Sequence, residues 1–522
     1  AWSLLSIDTE LGLVYAPMGN APPDQYGGDR TEETERFSSS VTALDLATGQ
    51  VRWVRQFVHH DLWDMDTPSQ PQLVDLRRSG EVVPALVQAT KQGDIYVLDR
   101  RTGEPRHRAV VWQDRRTADR CRALEDAGEL PRIRRLTGLV LDPYFSASKI
   151  EWLLTEGDVV ADEHLLLGTI DTWLLWKLTG GSVHATDPSN AARTMLYDIR
   201  AGAWSPELCD LFGVPLSSLP RVAPSVGVFG TTTGDVPVGA GVAVSGIAGD
   251  QQAALFGQAC LEPGMAKNTY GTGSFVLMNV GRDCPERAEG LLTTVAWQVP
   301  VAVLGGGPGA DPVGGTVTHY ALEGAIFVTG AAVQWLRDGL GLIHDAAEVV
   351  PLAESVDDTS GVVVVPAFTG LGAPYWDPYA RGTVLGITRG AGRAHLARAV
   401  VESMAFQTRD VVDAMTAASG TRLGELRVDG GASAMGLLLR LQADQLGVPV
   451  ARAAVAETTA LGAAYLAGLG AGVWSTATEV SAAWASDARV VASPGVCVGF
   501  FFVFLQWRRA VERSRGWART DA

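Results

Sequence analysis

The chain has 522 residues, with 42 Lys plus Arg against 58 Asp plus Glu, so its formal net charge is −16. Such an acidic balance excludes a general nucleic-acid or anionic-membrane binder, since both need a basic surface. With 47% apolar and 19% charged residues the chain can bury a sizeable core, over roughly two to four domains, and bulk disorder is excluded.

Five cysteines (Cys121, Cys209, Cys260, Cys284, Cys497) without CxxC spacing argue against a disulfide framework or a zinc site, and point to a reducing cytosol. The chain begins with Ala rather than Met and shows no signal pattern, which reads as a truncated or processed start. Its longest apolar run, Gly495 to Leu505, is eleven residues, short of the roughly 18 that span a bilayer.

Residues 1 to about 105 read as all-β. Short alternating strands are separated by turn chemistry such as Pro22-Pro23-Asp24, Thr48-Gly49, Arg78-Ser79-Gly80 and Thr102-Gly103. The stretch Ala43-Leu44-Asp45-Leu46-Ala47-Thr48-Gly49 is echoed by Val97-Leu98-Asp99-Arg100-Arg101-Thr102-Gly103, with the aspartates 54 residues apart. A period near 50 suggests propeller blades.

From about 106 the texture changes to alternating strands and helices, the α/β signature. Gly168 to Leu178 has helix-period apolars, and Ala394 to Ser419 predicts a long helix ending before Gly420. Val242 to Ile247 and Gly361 to Pro366 are buried-strand runs. Two segments look foreign to this pattern. Val299 to Thr318, rich in Gly, Pro and Val, predicts a long loop. Ser493 to Gln506 is unusually apolar and abuts a basic helix, Trp507 to Trp517. Its Phe500 to Leu505 window has high β-propensity and no charge, which marks an aggregation hazard or a buried C-terminal strand.

Three motifs at strand ends carry chemistry. Gly249-Asp250-Gln251-Gln252 follows a buried strand; a carboxylate there sits where ligands of α/β proteins bind, though an Asp before a helix also serves as an N-cap. Tyr270-Gly271-Thr272-Gly273-Ser274-Phe275 exposes backbone N–H groups and a hydroxyl, the parts of an anion nest or of a plain hairpin turn. Asp429-Gly430-Gly431-Ala432 lies between a strand and a helix, where glycines let a nucleotide approach the helix N-terminus. Together they support phosphoryl transfer between two lobes that close on substrate.

These motifs, with Val111 to Thr117, Leu141 to Ser146, Ser245 to Gly257, Tyr320 to Gly324 and Phe368 to Pro378, make residues from about 106 to 522 resemble the glycerol kinases of the FGGY carbohydrate kinase family. The resemblance implies a two-lobed, actin-like α/β fold, with 106–257 the remainder of the first lobe and 258–522 the nucleotide-binding lobe. It implies ATP-dependent phosphorylation of glycerol to glycerol 3-phosphate with Mg²⁺. Asp250 would be the general base, Gln251 and Tyr144 would hydrogen-bond glycerol, and Trp112 and Phe275 would line its carbons. Thr272 and Gly273 would meet the phosphates, and Gly330, Gln334, Gly431 and Met435 the rest of the nucleotide. At Met435 the family often has Asn. Gly234 to Gly241 lacks the basic stretch that binds an allosteric sugar bisphosphate in some members, so that regulation is not expected. The family's assembly into dimers or tetramers and its cytoplasmic location are implied as well.

Tyr15 to Asn20, Pro23 to Gly28 and His59 to Asp66 make residues 1 to about 105 resemble the membrane-type quinoprotein glucose dehydrogenases. That resemblance implies a remnant of a pyrroloquinoline quinone (PQQ) site. Asp61 would be the sugar base, Lys91 a quinone contact and Asn20 a metal-side residue. Roughly two blades supply neither the closure nor the central site of a propeller, which needs four to eight, so quinone chemistry is not expected. The two resemblances meet at Asp99 to Pro105, as in a fusion at a shared stretch. The kinases' opening Asp-x-Gly-Thr-Thr phosphate hairpin has no counterpart, and Thr90-Lys91-Gln92-Gly93-Asp94 has Gly and Asp where the family's glycerol-gripping Arg and Glu would stand. Glycine cannot replace a guanidinium's fork of donors. The strand Asp94 to Asp99 is expected to plug the truncated kinase sheet. The competing functional classes are a quinone-dependent sugar dehydrogenase fragment and a non-catalytic fusion product.

Overall fold

The computed structural model describes residues 4–21, 30–58, 61, 66–67, 69–78, 81–91, 95–101, 105–108, 110–111, 114–157, 159, 161, 165–234, 236–286, 288–304, 315–493 and 497–519. The chain divides into two compact units, Ala1–Arg116 and Thr117–Ala522.

The first unit holds two four-stranded antiparallel sheets. One runs in the order Ser6–Asp8, Leu13–Met18, Ser40–Asp45, Val51–Gln56, and the other Gln72–Arg78, Glu81–Ala89, Ile95–Asp99, Pro105–Arg108. Each aspartate of the sequence repeat closes the third strand of its sheet. Asp45 Oδ1 accepts from the Ala47 and Thr48 backbone N–H groups, and Asp99 Oδ1 from that of Arg101. The carboxylates thus cap the turns that the repeat encodes. Leu13, Tyr15, Val41 and Ala43 from one sheet and Leu86, Tyr96 and Leu98 from the other form one shared core. Tyr15 Oη and Trp53 Nε1 both donate to the Arg100 carbonyl, at 3.0 and 3.1 Å, so the aromatic residues' polar ends are satisfied inside it.

The expectation that the strand Asp94 to Asp99 plugs the kinase sheet is overturned. Ile95–Asp99 is an inner strand, hydrogen-bonded on both edges by Glu81–Ala89 and Pro105–Arg108. A strand with both ladders filled has no edge left to offer another sheet.

The second unit is built on a seven-stranded mixed sheet in the order Leu292–Pro300, Thr316–Ile326, Ser274–Gly281, Met265–Tyr270, Glu425–Asp429, Val450–Ala453, Ser486–Val490. Met265–Tyr270, Glu425–Asp429 and Val450–Ala453 run parallel, and every other pairing is antiparallel. Period-two alternation sends Val276 and Met278 to one face and Leu277 to the other. The long helix Arg393–Ser419 and the helix Gly436–Leu446 cover the first face, while Asp250–Gly257 and Thr458–Gly470 cover the second.

Residues 117–257 form short helices around Ile133, Leu208 and Phe212. Their described strands make only three two-stranded ladders.

Both foreign-looking segments behave differently from expectation. Strand pairing continues to Pro300↔Thr316, so both ends of the predicted 299–318 loop are hairpin flank, and 305–314 lie outside the described residues. The apolar C-terminal window is neither loop nor strand: Cys497–Ser514 is one continuous helix. Its Phe504 and Trp507 are buried against Phe406, and Trp507 Nε1 donates to Asp410 Oδ2 at 2.7 Å. Tertiary packing of an amphipathic face outweighs the β-propensity of Phe and Val.

Candidate active site

Two of the three predicted loops leave one end of the seven-stranded sheet together. The parallel register pairs Thr269 with Asp429, so the Gly271–Gly273 hairpin and the Gly430–Gly431 turn leave adjacent strands side by side. A Cβ on Gly273 would overlap the Ile326 carbonyl oxygen, and one on Gly430, whose φ is +81°, would overlap that of Tyr270. Only glycine permits these approaches. The hairpin is pinned from behind: Thr329 N and Ala331 N donate to the Thr272 carbonyl (2.8 and 3.1 Å), and Gly330 N to that of Gly271 (3.0 Å). Ser274 and Thr329 share a hydroxyl contact of 2.8 Å. Thr272 itself stays exposed at the tip, as does Gly431. Gly330 begins the helix Gly330–Gln334, which Gln334 ends with an exposed side chain. Met435 is the N-cap residue of Gly436–Leu446 and makes no side-chain cap.

Asp250 is the first residue of Asp250–Gly257, after an N-cap Gly249. It is exposed, and its Oδ1 accepts from the Gln251 backbone N–H at 2.7 Å. The loop before it is anchored by Ser189, whose Oγ accepts from Gly249 N (2.9 Å) and donates to Asp187 (2.8 Å to Oδ2). Asp187 is fully buried, and that burial pushes its carboxyl up to about 6 although Asn190, Ser225 and Ser189 all donate to it. Phe275 pairs with Thr269 and therefore faces the same side of the sheet as Asp250–Gly257. Tyr144 lies close enough to Asp250 to feel its charge, although burial is the main cause of its raised hydroxyl pKa.

Sequence reasoning missed four side chains here. Lys267 is fully buried in the strand Met265–Tyr270; its Nζ donates to Gln251 Oε1 (2.5 Å) and Thr269 Oγ1 (3.1 Å). Burial lowers its pKa, while Asp429, Glu323 and Asp250 oppose that shift. Arg193 forms a two-pronged pair with Glu323, 2.9 Å from Nη1 to Oε2 and 3.1 Å from Nη2 to Oε1. Its guanidinium lies 5.8 Å from the Tyr144 ring centre. Burial pulls the Arg193 pKa down, but Glu323 and Tyr144 outweigh it, and the net shift is upward. Asp429, buried, accepts from Gln258 Nε2 (2.9 Å) and from the Thr458 hydroxyl. Asp429 and Glu323 lay inside quoted segments without a role assigned to either, and Lys267 could have been flagged as a lysine at an inward position of an apolar strand.

In the first unit Asn20 and Lys91 share a partner, and Asp61 is bonded by the serine next to another partner of Asn20. Asp66 accepts from Asn20 N (2.8 Å) and from Lys91 Nζ (3.5 Å). Ser38 Oγ donates to Asn20 Oδ1 (3.0 Å), and its neighbour Ser39 donates to Asp61 Oδ2 (2.6 Å). Trp112 and residues 92–94 lie outside the described residues.

Residues 266–471 match the family model "FGGY family of carbohydrate kinases, C-terminal domain". The glycerol kinase of Symbiobacterium thermophilum is 53% identical over 439 residues, covering 83% of this chain and 85% of that protein. The chain belongs to the glycerol kinase family. The glycerol kinase of Carboxydothermus hydrogenoformans, 49% identical, covers 88% of this chain and 91% of its own length. Among solved structures, Plasmodium falciparum glycerol kinase with ADP superposes with a TM-score of 0.72 at 34% identity, over 80% of this chain and 81% of that one. The fold is therefore the two-lobed, actin-like fold of the FGGY sugar kinases. Residues 1–110 match a different model, "Glucose/ethanol/alcohol dehydrogenase, beta-propeller domain". A kinase family member thus carries a propeller segment at its front.

Proposed function

We propose that this chain phosphorylates glycerol with ATP, with Asp250 as general base. What carries the reading is a pinned Gly-Thr-Gly hairpin beside a Gly-Gly turn at one sheet end, with an exposed carboxylate at a helix start whose neighbour Gln251 is bonded to Lys267 of the same sheet, inside a glycerol kinase family member.

In this reading Gln251 and Tyr144 hold the polyol, and Phe275, with Trp112, lines its carbons. The hairpin tip at Thr272 and Gly273 receives the phosphates, while Gly330, Gln334, Gly431 and Met435 border the nucleoside. Asp250 takes the proton of the attacking hydroxyl, which makes that oxygen nucleophilic toward the γ-phosphorus. Mg²⁺ typically uses one or two carboxylates plus substrate phosphates. Held with the nucleotide's phosphates, the ion would neutralise their charge. The lobes divide at about 257, and assembly into dimers or tetramers in the cytoplasm completes the reading. The opening phosphate hairpin and the Arg–Glu pair have no sequence counterpart, so glycerol affinity is expected to be low.

The test is ATP-dependent formation of glycerol 3-phosphate by purified protein, with Asp250→Ala as control. Loss of a positioned base costs about 10²–10⁴ in rate, and Asp250 is exposed, so the variant should fold normally and lose at least the lower figure. A soluble, folded wild type without turnover sinks the proposal.

A further inference from the structure

Lys267 carries no role in the reaction as described above, yet it is the most deeply buried cation at the site. Its side chain is fully enclosed, and among the described residues it forms no ion pair within 4 Å. Its hydrogen-bond partners are two neutral groups, Gln251 Oε1 and Thr269 Oγ1. A buried ammonium is costly unless its protons are well used, and this one spends its shortest bond on a residue next to the catalytic carboxylate.

An ammonium has three donors and no acceptor. The atom that Gln251 turns to it must therefore be the amide oxygen, and the Nε2 amino group must point the other way. Asp250, when ionised, offers only acceptors. We infer that Lys267 is a positioning residue: it locks the Gln251 amide so that Asp250 and Gln251 present one acceptor and one donor side by side, a pair that reads two adjacent hydroxyls of a polyol. The hydroxyl that gives its proton to Asp250 is the one to be phosphorylated, and its neighbour accepts from Gln251 Nε2. A mono-alcohol fills half of this head and leaves the amide donor unsatisfied, which is what makes hydrogen-bonded specificity strong. Without Lys267 the amide can rotate, and its oxygen can face the same oxygen it should donate to.

The inference rests on the glycerol reading and deepens it. Lys267→Met keeps most of the side chain's apolar stem and removes a buried charge that has no ion-pair partner among the described residues, so folding should survive. The expected result is a rise of about tenfold in the KM for glycerol with the KM for ATP unchanged, the loss of one well-made hydrogen bond. Discrimination of 1,2-propanediol against 1-propanol should fall by a similar factor. Gln251→Ala should likewise raise the KM for glycerol and lower that discrimination, and the double variant should lose no more than the worse single one, because both act through one contact. Equal changes in both KM values, or additive losses, overturn the inference.

A readout without turnover separates it from the kinase reading. A ¹⁵N-lysine spectrum of the full chain should show a slowly exchanging Lys267 ammonium that is lost in Lys267→Met and shifted in Gln251→Ala. An unshifted ammonium overturns the lock whatever the activity. A shifted one in a wild type that neither binds nor phosphorylates glycerol overturns the glycerol reading and the diol-reading role with it, leaving the Lys267–Gln251 bond as a structural one.

Discussion

The two lobes of the kinase unit hold their halves of the site by different means. In the second lobe the hairpin, the Gly-Gly turn and Lys267 sit on a seven-stranded sheet with helices on both faces. Their positions are fixed by backbone ladders. The first lobe's described strands make only two-stranded ladders, and it exposes Ile170, Leu174 and Val228. Tyr144, one of the residues the proposed site draws from it, is held instead by a side chain: Arg193 packs against Tyr144 and reaches Glu323, a residue of the second lobe's strand Thr316–Ile326. Within the first lobe, the Asp187–Ser189 link to Gly249 is a second buried polar tie. Where a sheet is narrow, buried polar ties take over the positioning, and each tie is a single point of failure.

The sharpest way to break this comparison is to cut the larger tie. Arg193→Met leaves Glu323 buried without its cation, and breaking a buried pair by removing one partner costs about 3–5 kcal/mol. Urea unfolding should show that loss. ATP binding, proposed for the second lobe, should weaken far less than glycerol binding. If both fall together, the lobes are not held independently and the contrast is wrong.

Much of the second lobe could be read in advance because its signals are local. The apolar period of Ala394 to Ser419 and the glycine after it gave a helix that the structure extends by one residue, to Arg393–Ser419. Asp250 and the two glycine turns were legible because each sits where a strand ends and the chain must turn. The ties were not legible. Arg193 and Glu323 are 130 residues apart, and no spacing rule joins them; each alone reads as an ordinary surface charge. The C-terminal window misled for a related reason. Its Phe and Val content favours a strand, and only the contacts of Phe504 and Trp507 with Phe406 and Asp410 make it a helix. The front unit's repeat was visible, but not that its third strand would find both partners within that unit.

The smaller tie should show itself through pH. Burial holds the Asp187 carboxyl at about 6, above the roughly 3.9 of an unfolded aspartate. The folded state therefore binds this proton more tightly. Its contribution to stability is full below about pH 4 and is lost as the pH rises through about 6, a swing of roughly 2–3 kcal/mol. Asp187→Asn carries no such proton. The stability difference, wild type minus variant, should fall between pH 4 and 7.5, read from urea midpoints at each pH. A difference that stays flat would mean Asp187 ionises normally and its hydrogen bonds, not its burial, set the tie.

Met435 tests the other side of the comparison, a change confined to the sheet-backed lobe. It is the N-cap of Gly436–Leu446, with φ −77° and ψ 100°, and its thioether gives the first turn no acceptor. Asn is among the best N-cap residues, because its side-chain oxygen accepts from the N2 or N3 backbone N–H. Met435→Asn should therefore stabilise the protein by about 1 kcal/mol, and it places an amide where the family often has one beside the nucleoside. Thermal melting should rise by a few degrees, and ATP should bind more tightly while glycerol affinity stays as it was. A gain in glycerol affinity as well would show that a local change in the second lobe reaches Tyr144, and that the side-chain ties transmit between lobes rather than merely hold them.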